Sequence, residues 1–278
     1  MAKPVETGFE VITTEKDVVR LGHGAGDMKQ LEPDAIERGL SSLKRMREIA
    51  ATNNADLRAV ATSAVREAKN RGEFIKRARK EAGVEIEVIS GIEEARLIYM
   101  GAKYGVAVGD QPMLLVDIGG GSTEIVVASG DEIHLSRSFK LGAVRLTDRF
   151  FTTDALHPSA VSSCRKFVRS MLATIKPEVN ELGFEIAVGS SGTVEALAKL
   201  IRRLNNEPEP KTFNRYEFAV GDLTKTLESL ADTPTVKDRA KRFGLETSRA
   251  DMCQDRGGLE ISPRIRRKFE ALLQAVEK

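Results

Sequence analysis

The chain has 278 residues, with 43 Lys and Arg against 41 Asp and Glu, for a formal net charge of +2. That length allows two domains with ample core. The near-balance of charge excludes the strong basicity of a typical nucleic-acid binder, and no apolar run approaches a membrane span, so neither nucleic acid nor membrane is an expected partner. Met1-Ala-Lys-Pro4 is not a signal peptide, and Cys164 and Cys253 stand far apart without metal spacing; both point to a reducing, cytoplasmic setting. His23, His134 and His157 sit in dissimilar contexts, so neither a zinc site nor a serine–histidine triad is expected.

Residues 8–21 read as two short strands joined by a turn. From Asp34 to Ala51, the apolar residues Ile36, Leu40, Leu43, Met46 and Ile49 recur on one face, which predicts an amphipathic helix. Leu57 to Ala61 is a strand, and Ser63 to Lys69 opens a helix. Gly72 to Ala82 is another helix, stopped by Gly83 in the C-cap position. A strand at Val84 to Ile89 and a helix from Gly91 to about Lys103 follow. Tyr104 to Pro112 is the linker candidate, dividing a first domain at 1–104 from a second at 110–278.

Met113 to Val116, Ile125 to Ala128 and Glu132 to Phe139 are three consecutive strands, an antiparallel meander. Helices are expected at 143–151 and 158–175. Ile186 to Thr193 reads as strand, glycine turn and the start of a helix to Arg203. The polar, proline-rich stretch 205–218 is a loop ending in a short extended piece, and further helices are expected at 221–231, 234–243 and 263–276. Helices alternating with strands, plus a meander, predict an α/β fold with a mixed sheet.

The most informative stretch is Asp117-Ile-Gly-Gly-Gly-Ser-Thr-Glu124, a tight glycine hairpin with a carboxylate at each end. Bare backbone at Gly119, Gly120 and Gly121 can approach an anion closely, and the hydroxyls of Ser122 and Thr123 can bond phosphate oxygens. Asp117 and Glu124 are the oxygen ligands that Mg²⁺ takes. The plain alternative is an ordinary glycine-rich hairpin, but three consecutive glycines cost backbone entropy that a simple turn does not require.

Three other segments have the same flavour. Ala61-Thr-Ser-Ala-Val-Arg-Glu67 feeds a strand into a helix N-terminus, where Arg66 could reach a phosphate in bidentate fashion, or Thr62 or Ser63 could simply cap the helix. In Ser90-Gly-Ile-Glu-Glu94, Ser90 and Glu93 fit a capping box, which leaves Glu94 without a structural task. Glu94 could orient a water for attack on phosphorus, or be an exposed first-turn acid favoured by the helix dipole; local sequence alone favours the second. Gly189, Ser190, Ser191, Gly192 and Thr193 form a further phosphate-loop candidate, with a capped helix start as the alternative. The basic clusters at Lys76 to Lys80, Lys237 to Arg242 and Arg264 to Lys268 read as solvated helix faces.

Together, Ala61 to Arg66, Ser90 to Arg96, Asp117 to Glu124 and Gly189 to Thr193 resemble the exopolyphosphatase / guanosine pentaphosphate phosphohydrolase family of the actin-like ATPase superfamily, in the family's order and spacing. The similarity runs from about Gly8 to about Asp251. It implies two actin-like (ribonuclease H-like) domains with mixed sheets and a phosphate-binding cleft between them, the helix at 263–276 packing back on the first. It implies Mg²⁺-dependent hydrolysis of the terminal phosphoanhydride of inorganic polyphosphate or guanosine pentaphosphate, and it allows a homodimer. Glu94 matches the family's catalytic carboxylate, which reverses the local reading. Arg66 matches a phosphate-contacting arginine, Asp117 and Glu124 the metal-side acids, and Gly119 to Thr123 the phosphate loop, with Gly189 to Thr193 opposite.

The chain departs from the family pattern at both ends. Relatives open with a strand leading into an Asp-Ile-Gly-Ser-Asn-Ser-like loop, and this chain begins where that strand should have ended, at Gly8-Phe-Glu-Val11. The first domain is therefore expected to lack its N-terminal strand and half of the phosphate clamp, which puts turnover in doubt. A truncated product, a non-catalytic phosphate-polymer or nucleotide-binding homologue, and replacement of the strand by another segment all stay open. An actin-like ATPase or sugar kinase is the more distant alternative. After Asp251, the segment Met252 to Pro263 also interrupts the family pattern.

Overall fold

The computed structural model describes residues 1–6, 8–17, 19–22, 29–106, 109–153, 157–208, 210–233 and 235–243. The chain divides into two compact units, one at Met1–Ser90 and one beginning at Gly91. The sequence reading set the break at 104–110. The helix expected at 263–276 lies outside the described residues.

In the first unit, β1 (Ala2–Val5) pairs antiparallel with β2 (Gly8–Val11) as a separate two-stranded sheet. Of the two strands expected within 8–21, only the first forms among the described residues. Residues 12–17 have no regular structure, and the partner of β2 is Ala2–Val5, which the sequence reading did not contain. The pair leaves Val5, Phe9 and Val11 exposed, with Phe9 opposite Pro4 and Val11 opposite Ala2. The helix α1 (Pro33–Thr52) starts on Pro33, whose missing N–H costs nothing in the first turn. Strands β3 (Ala59–Ala61) and β4 (Ile86–Val88) run parallel, which requires a crossover, here α2 (Ser63–Glu67), α3 (Arg71–Arg77) and a π-helical turn at Ala78–Ala82. Gly83 closes that turn at φ 62, the left-handed cap expected from the sequence. The core of this unit is Leu31, Ile36, Leu40, Val65, Ala68, Phe74 and Ala78.

The second unit opens with α4 (Gly91–Val106), which runs three residues into the expected linker. Its sheet contains β5 (Met113–Ile118), β6 (Thr123–Ser129) and β7 (Glu132–Phe139), the expected meander, and β8 (Ile186–Ser190), in the order β7-β6-β5-β8. β8 runs parallel to β5, so the sheet is mixed. Alternation sorts β5 cleanly between two cores. Met113 and Leu115, with Val126, Ala128 and Val188, face α4 through Ala95 and Tyr99. Leu114 and Val116, with Ile125, Val127 and Ala187, pack on the other side against Ile175 and Val179. The Tyr99 hydroxyl donates to the Gly130 carbonyl at 2.8 Å, tying α4 to the β6–β7 turn.

The remaining described helices are α5 (Ala143–Phe150), α6 (Pro158–Leu172), α7 (Lys176–Leu182), α8 (Ser191–Leu204), α9 (Val220–Ala231) and α10 (Val236–Phe243). The helix expected to run to 175 ends at Leu172. α7, absent from the sequence reading, starts with Pro177 in its first turn, where proline is tolerated and a continuing helix is not. Among the described residues, no extended piece closes the stretch 205–218. No helix of the described residues is long and apolar enough to cross a membrane. Leu115 is 1 % exposed at the centre of the second sheet. Leu115→Ala is expected to lower stability by about 2–5 kcal/mol in denaturant titration.

Candidate functional site: a row of polar side chains at the end of an apolar sheet

β5 and β8 are apolar until near their C-terminal ends and β6 is apolar after its first two residues, and at that level one polar row crosses the sheet. Asp117 lies opposite Glu124 on one side and Ser190 on the other, and Glu124 lies opposite Ser138. Directly paired residues project from the same face. This row therefore continues the face of Met113 and Leu115 that α4 covers. The Ser138 hydroxyl donates to Glu124 Oε1 at 2.7 Å. Ser190 hydrogen-bonds the Asp117 carboxylate and Ser122 that of Glu124.

Glu94, in the first turn of α4, joins these two acids. Its neighbour Ala95 is fully buried on the sheet, which fixes where the Glu94 backbone lies. Burial raises the proton affinity of Asp117, and the Glu94 charge adds to it. Burial likewise pushes Glu124 from an ordinary value of 4.5 up to about 7, with the Glu94 and Asp117 charges adding and the serine hydrogen bonds opposing. Glu93, by contrast, holds Arg96 through both carboxylate oxygens at 2.8 Å. The neighbouring acids thus divide between a surface ion pair and the acidic cluster.

Among the described residues, no three His, Cys, Asp or Glu side chains stand close enough to hold a metal ion unaided. Mg²⁺ does not require that, because it commonly keeps several waters and uses one or two carboxylates with substrate phosphates. Two adjacent oxygen ligands, Glu124 buried and Asp117 half-buried, whose proton affinity is raised fit such an ion, since a bound cation would relieve the like-charge repulsion.

The glycine loop is held by α5. Gly119 N donates to Ser122 O at 2.9 Å, closing the hairpin between Ile118 and Thr123. Ala143 N donates to Gly119 O at 2.8 Å and Arg145 N to Gly120 O at 3.2 Å. These belong to the first-turn amides that have no partner within a helix. The buried Arg145 side chain adds a bond from Nε to Gly121 O at 2.9 Å. Thr123 Oγ1 donates to Leu141 O at 2.9 Å, so its one hydroxyl proton serves the loop's own support. A Cβ on Gly142 would overlap the Gly120 and Gly121 backbone, which makes glycine obligatory at this close approach.

The second loop candidate, Gly189 to Thr193, spans the end of β8 and the first residues of α8. Ser191 stands at φ 94, an unusual position for a residue with a side chain, and its hydroxyl donates to Ile118 O at 2.7 Å. Thr193 N donates to Ser191 Oγ at 3.2 Å. The second unit therefore brings together Glu94, Asp117, Ser122, Glu124 and Ser190, with Gly119 to Thr123 and Gly189 to Thr193 flanking them. Arg66 belongs to the first unit, in the short helix α2, and one guanidinium nitrogen donates to Ile89 O at 2.9 Å. Sequence reasoning missed Ser138, Gly142 and Arg145. Leu141-Gly-Ala-Val-Arg145 resembled any helix start, and only the cross-strand register brings Ser138 to Glu124.

The sequence profile of the Ppx/GppA phosphatase family matches residues 1–263. A crystal structure of an exopolyphosphatase from Cytophaga hutchinsonii is 28% identical with a TM-score of 0.82, covering 91% of this chain and 82% of that one. The Ppx/GppA family member of Aquifex aeolicus is 26% identical with a TM-score of 0.74, covering 100% of this chain and 86% of that one. A further exopolyphosphatase-like protein is 27% identical with a TM-score of 0.80, covering 89% of this chain and 79% of that one. These likenesses carry the mixed α/β, actin-like fold to the present chain.

The raised affinity of Glu124 for a proton has a signed consequence. The folded chain holds a proton there that the unfolded chain has released, so stability falls as pH rises from about 4.5 through about 7. Denaturant midpoints measured across that window are expected to decline in the metal-free protein, and Glu124→Gln is expected to flatten the decline.

Proposed function

We propose that this chain, which belongs to the Ppx/GppA phosphatase family, hydrolyses terminal phosphoanhydride bonds of inorganic polyphosphate or guanosine pentaphosphate, with Glu94 as the base that activates water. The observation carrying this reading is the meeting of Glu94 with Asp117 and Glu124 beside the glycine loop. In-line attack on phosphorus requires a positioned water, a place for its proton and neutralisation of the phosphate charge. Glu94 takes the proton as the water oxygen bonds to the terminal phosphorus and the bridging oxygen leaves with the shortened chain. Asp117 and Glu124 would hold Mg²⁺, which when bound supplies positive charge against the phosphate oxygens. Gly119 to Thr123 and Gly189 to Thr193 receive phosphate groups, and Arg66 is assigned a further phosphate contact.

Phosphate release from polyphosphate, guanosine pentaphosphate and ATP, measured with Mg²⁺ and with EDTA, tests this reading. Release from one of the first two, lost in EDTA, is the expected result. Glu94→Gln should reduce it by about 10²–10⁴-fold with an unchanged circular dichroism spectrum. Binding of polyphosphate with no turnover of any of the three would replace the hydrolase with a binding protein. Turnover of ATP alone would favour an actin-like ATPase.

A further inference from the structure

Three consecutive peptide groups of the glycine loop are oriented by one segment. A trans peptide is planar, and its C=O and N–H point in opposite directions. The Gly119 carbonyl accepts from Ala143 N at 2.8 Å, so the N–H of Gly120, in the same peptide plane, points away from α5. The Gly120 carbonyl accepts from Arg145 N at 3.2 Å, so the N–H of Gly121 points away as well. The Gly121 carbonyl accepts from Arg145 Nε at 2.9 Å, which turns the N–H of Ser122 the same way. Among the described residues, none of these three N–H groups donates to a protein acceptor. Successive N–H groups pointing to one side form an anion-binding concavity. The side chain that fixes the last of the three is buried, Arg145 being 4 % exposed. The approach that allows all three contacts depends on Gly142, where a Cβ would overlap the Gly120 and Gly121 backbone.

We infer that Gly142 and Arg145 are positioning residues: by capturing three successive carbonyls, they present the N–H groups of Gly120, Gly121 and Ser122 as a single cradle for a phosphate group. Neither residue touches the substrate. The inference builds on the proposed phosphoanhydride chemistry but concerns only how a phosphate is held. It assigns recognition at this loop to backbone N–H groups, while the Thr123 hydroxyl stays engaged with Leu141.

The test is a titration of ¹⁵N-labelled protein with methylenediphosphonate, a diphosphate analogue whose P–C–P bridge is not hydrolysed. The amide signals of Gly120, Gly121 and Ser122 are expected to shift downfield together and saturate with one Kd. Arg145→Met and Gly142→Ala are expected to weaken that Kd at least tenfold and to abolish the concerted shift. Arg145→Lys, which keeps one donor, is expected to recover part of it. Saturable binding that leaves those three amides unmoved in the wild-type protein overturns the inference, as does wild-type affinity in folded Arg145→Met and Gly142→Ala. Where a variant fails to fold, the wild-type spectra decide alone. Phosphate release assayed in parallel separates the two ideas: concerted shifts without turnover retain the cradle and reject the hydrolase, and turnover with unmoved amides does the reverse.

Discussion

The register of β5 between β6 and β8 is the constraint on which the rest depends. It sets Asp117 opposite Glu124 and beside Ser190. Because side chains alternate with a period of two, a slip of one residue would move every side chain of β5 to the other face. Asp117 would then enter the layer of Leu114, Val116, Ile125 and Val127. Hydrophobic pattern alone does not prevent this, because both faces of the sheet are buried and both rows of β5 are apolar. The hairpin prevents it. Gly119 to Ser122 span the turn with Ile118 paired to Thr123, so the length and closure of the glycine loop define which residues face α4. One segment thus sets both the loop and the acids.

The acids are placed at a cost that apolar packing has to offset. Partial burial and the nearby Glu94 charge raise the proton affinity of Asp117 and Glu124. Hydroxyls from Ser122, Ser138 and Ser190 oppose that rise without cancelling it. The position of Glu94 is set by groups with no chemistry of their own. Ala95 and Tyr99 press α4 on the sheet, and the Tyr99 hydroxyl anchors the helix at the Gly130 carbonyl at 2.8 Å. Positive charge placed beside Asp117 and Glu124 would oppose the rise in their proton affinity.

Much of this could be read from the chain. The meander at Met113 to Phe139 and the cap at Gly83 each carried a local signal and formed where expected, and from Ile186 the expected strand and helix formed but join directly at Ser190–Ser191 without the expected glycine turn. What could not be read depended on partners distant in sequence. Local sequence placed Glu94 on the surface because nothing near it reveals the two acids more than twenty residues onward; the family likeness supplied that link. Ser138 is an unremarkable strand residue until the register pairs it with Glu124. The pairing of Ala2–Val5 with Gly8–Val11 was missed because a four-residue strand with no buried face lacks the alternation that would reveal it.

The glycine triplet shows where a sequence argument can find the right residues for an incomplete reason. The entropy of three glycines implied some purpose beyond a turn, and the usual candidate is a backbone conformation closed to other residues. Yet none of Gly119, Gly120 and Gly121 has a positive φ. The close approach instead falls on Gly142, where a Cβ would overlap the Gly120–Gly121 backbone, and α5 closes on the loop carbonyls. Helix N-terminal amides, the usual anion donors, are here consumed by carbonyls of the protein itself. The dipole that would have faced an anion directly instead orients a second set of amides. Donors fixed in that way need little rearrangement when charge arrives, and it is such fixed donors that bind anions well.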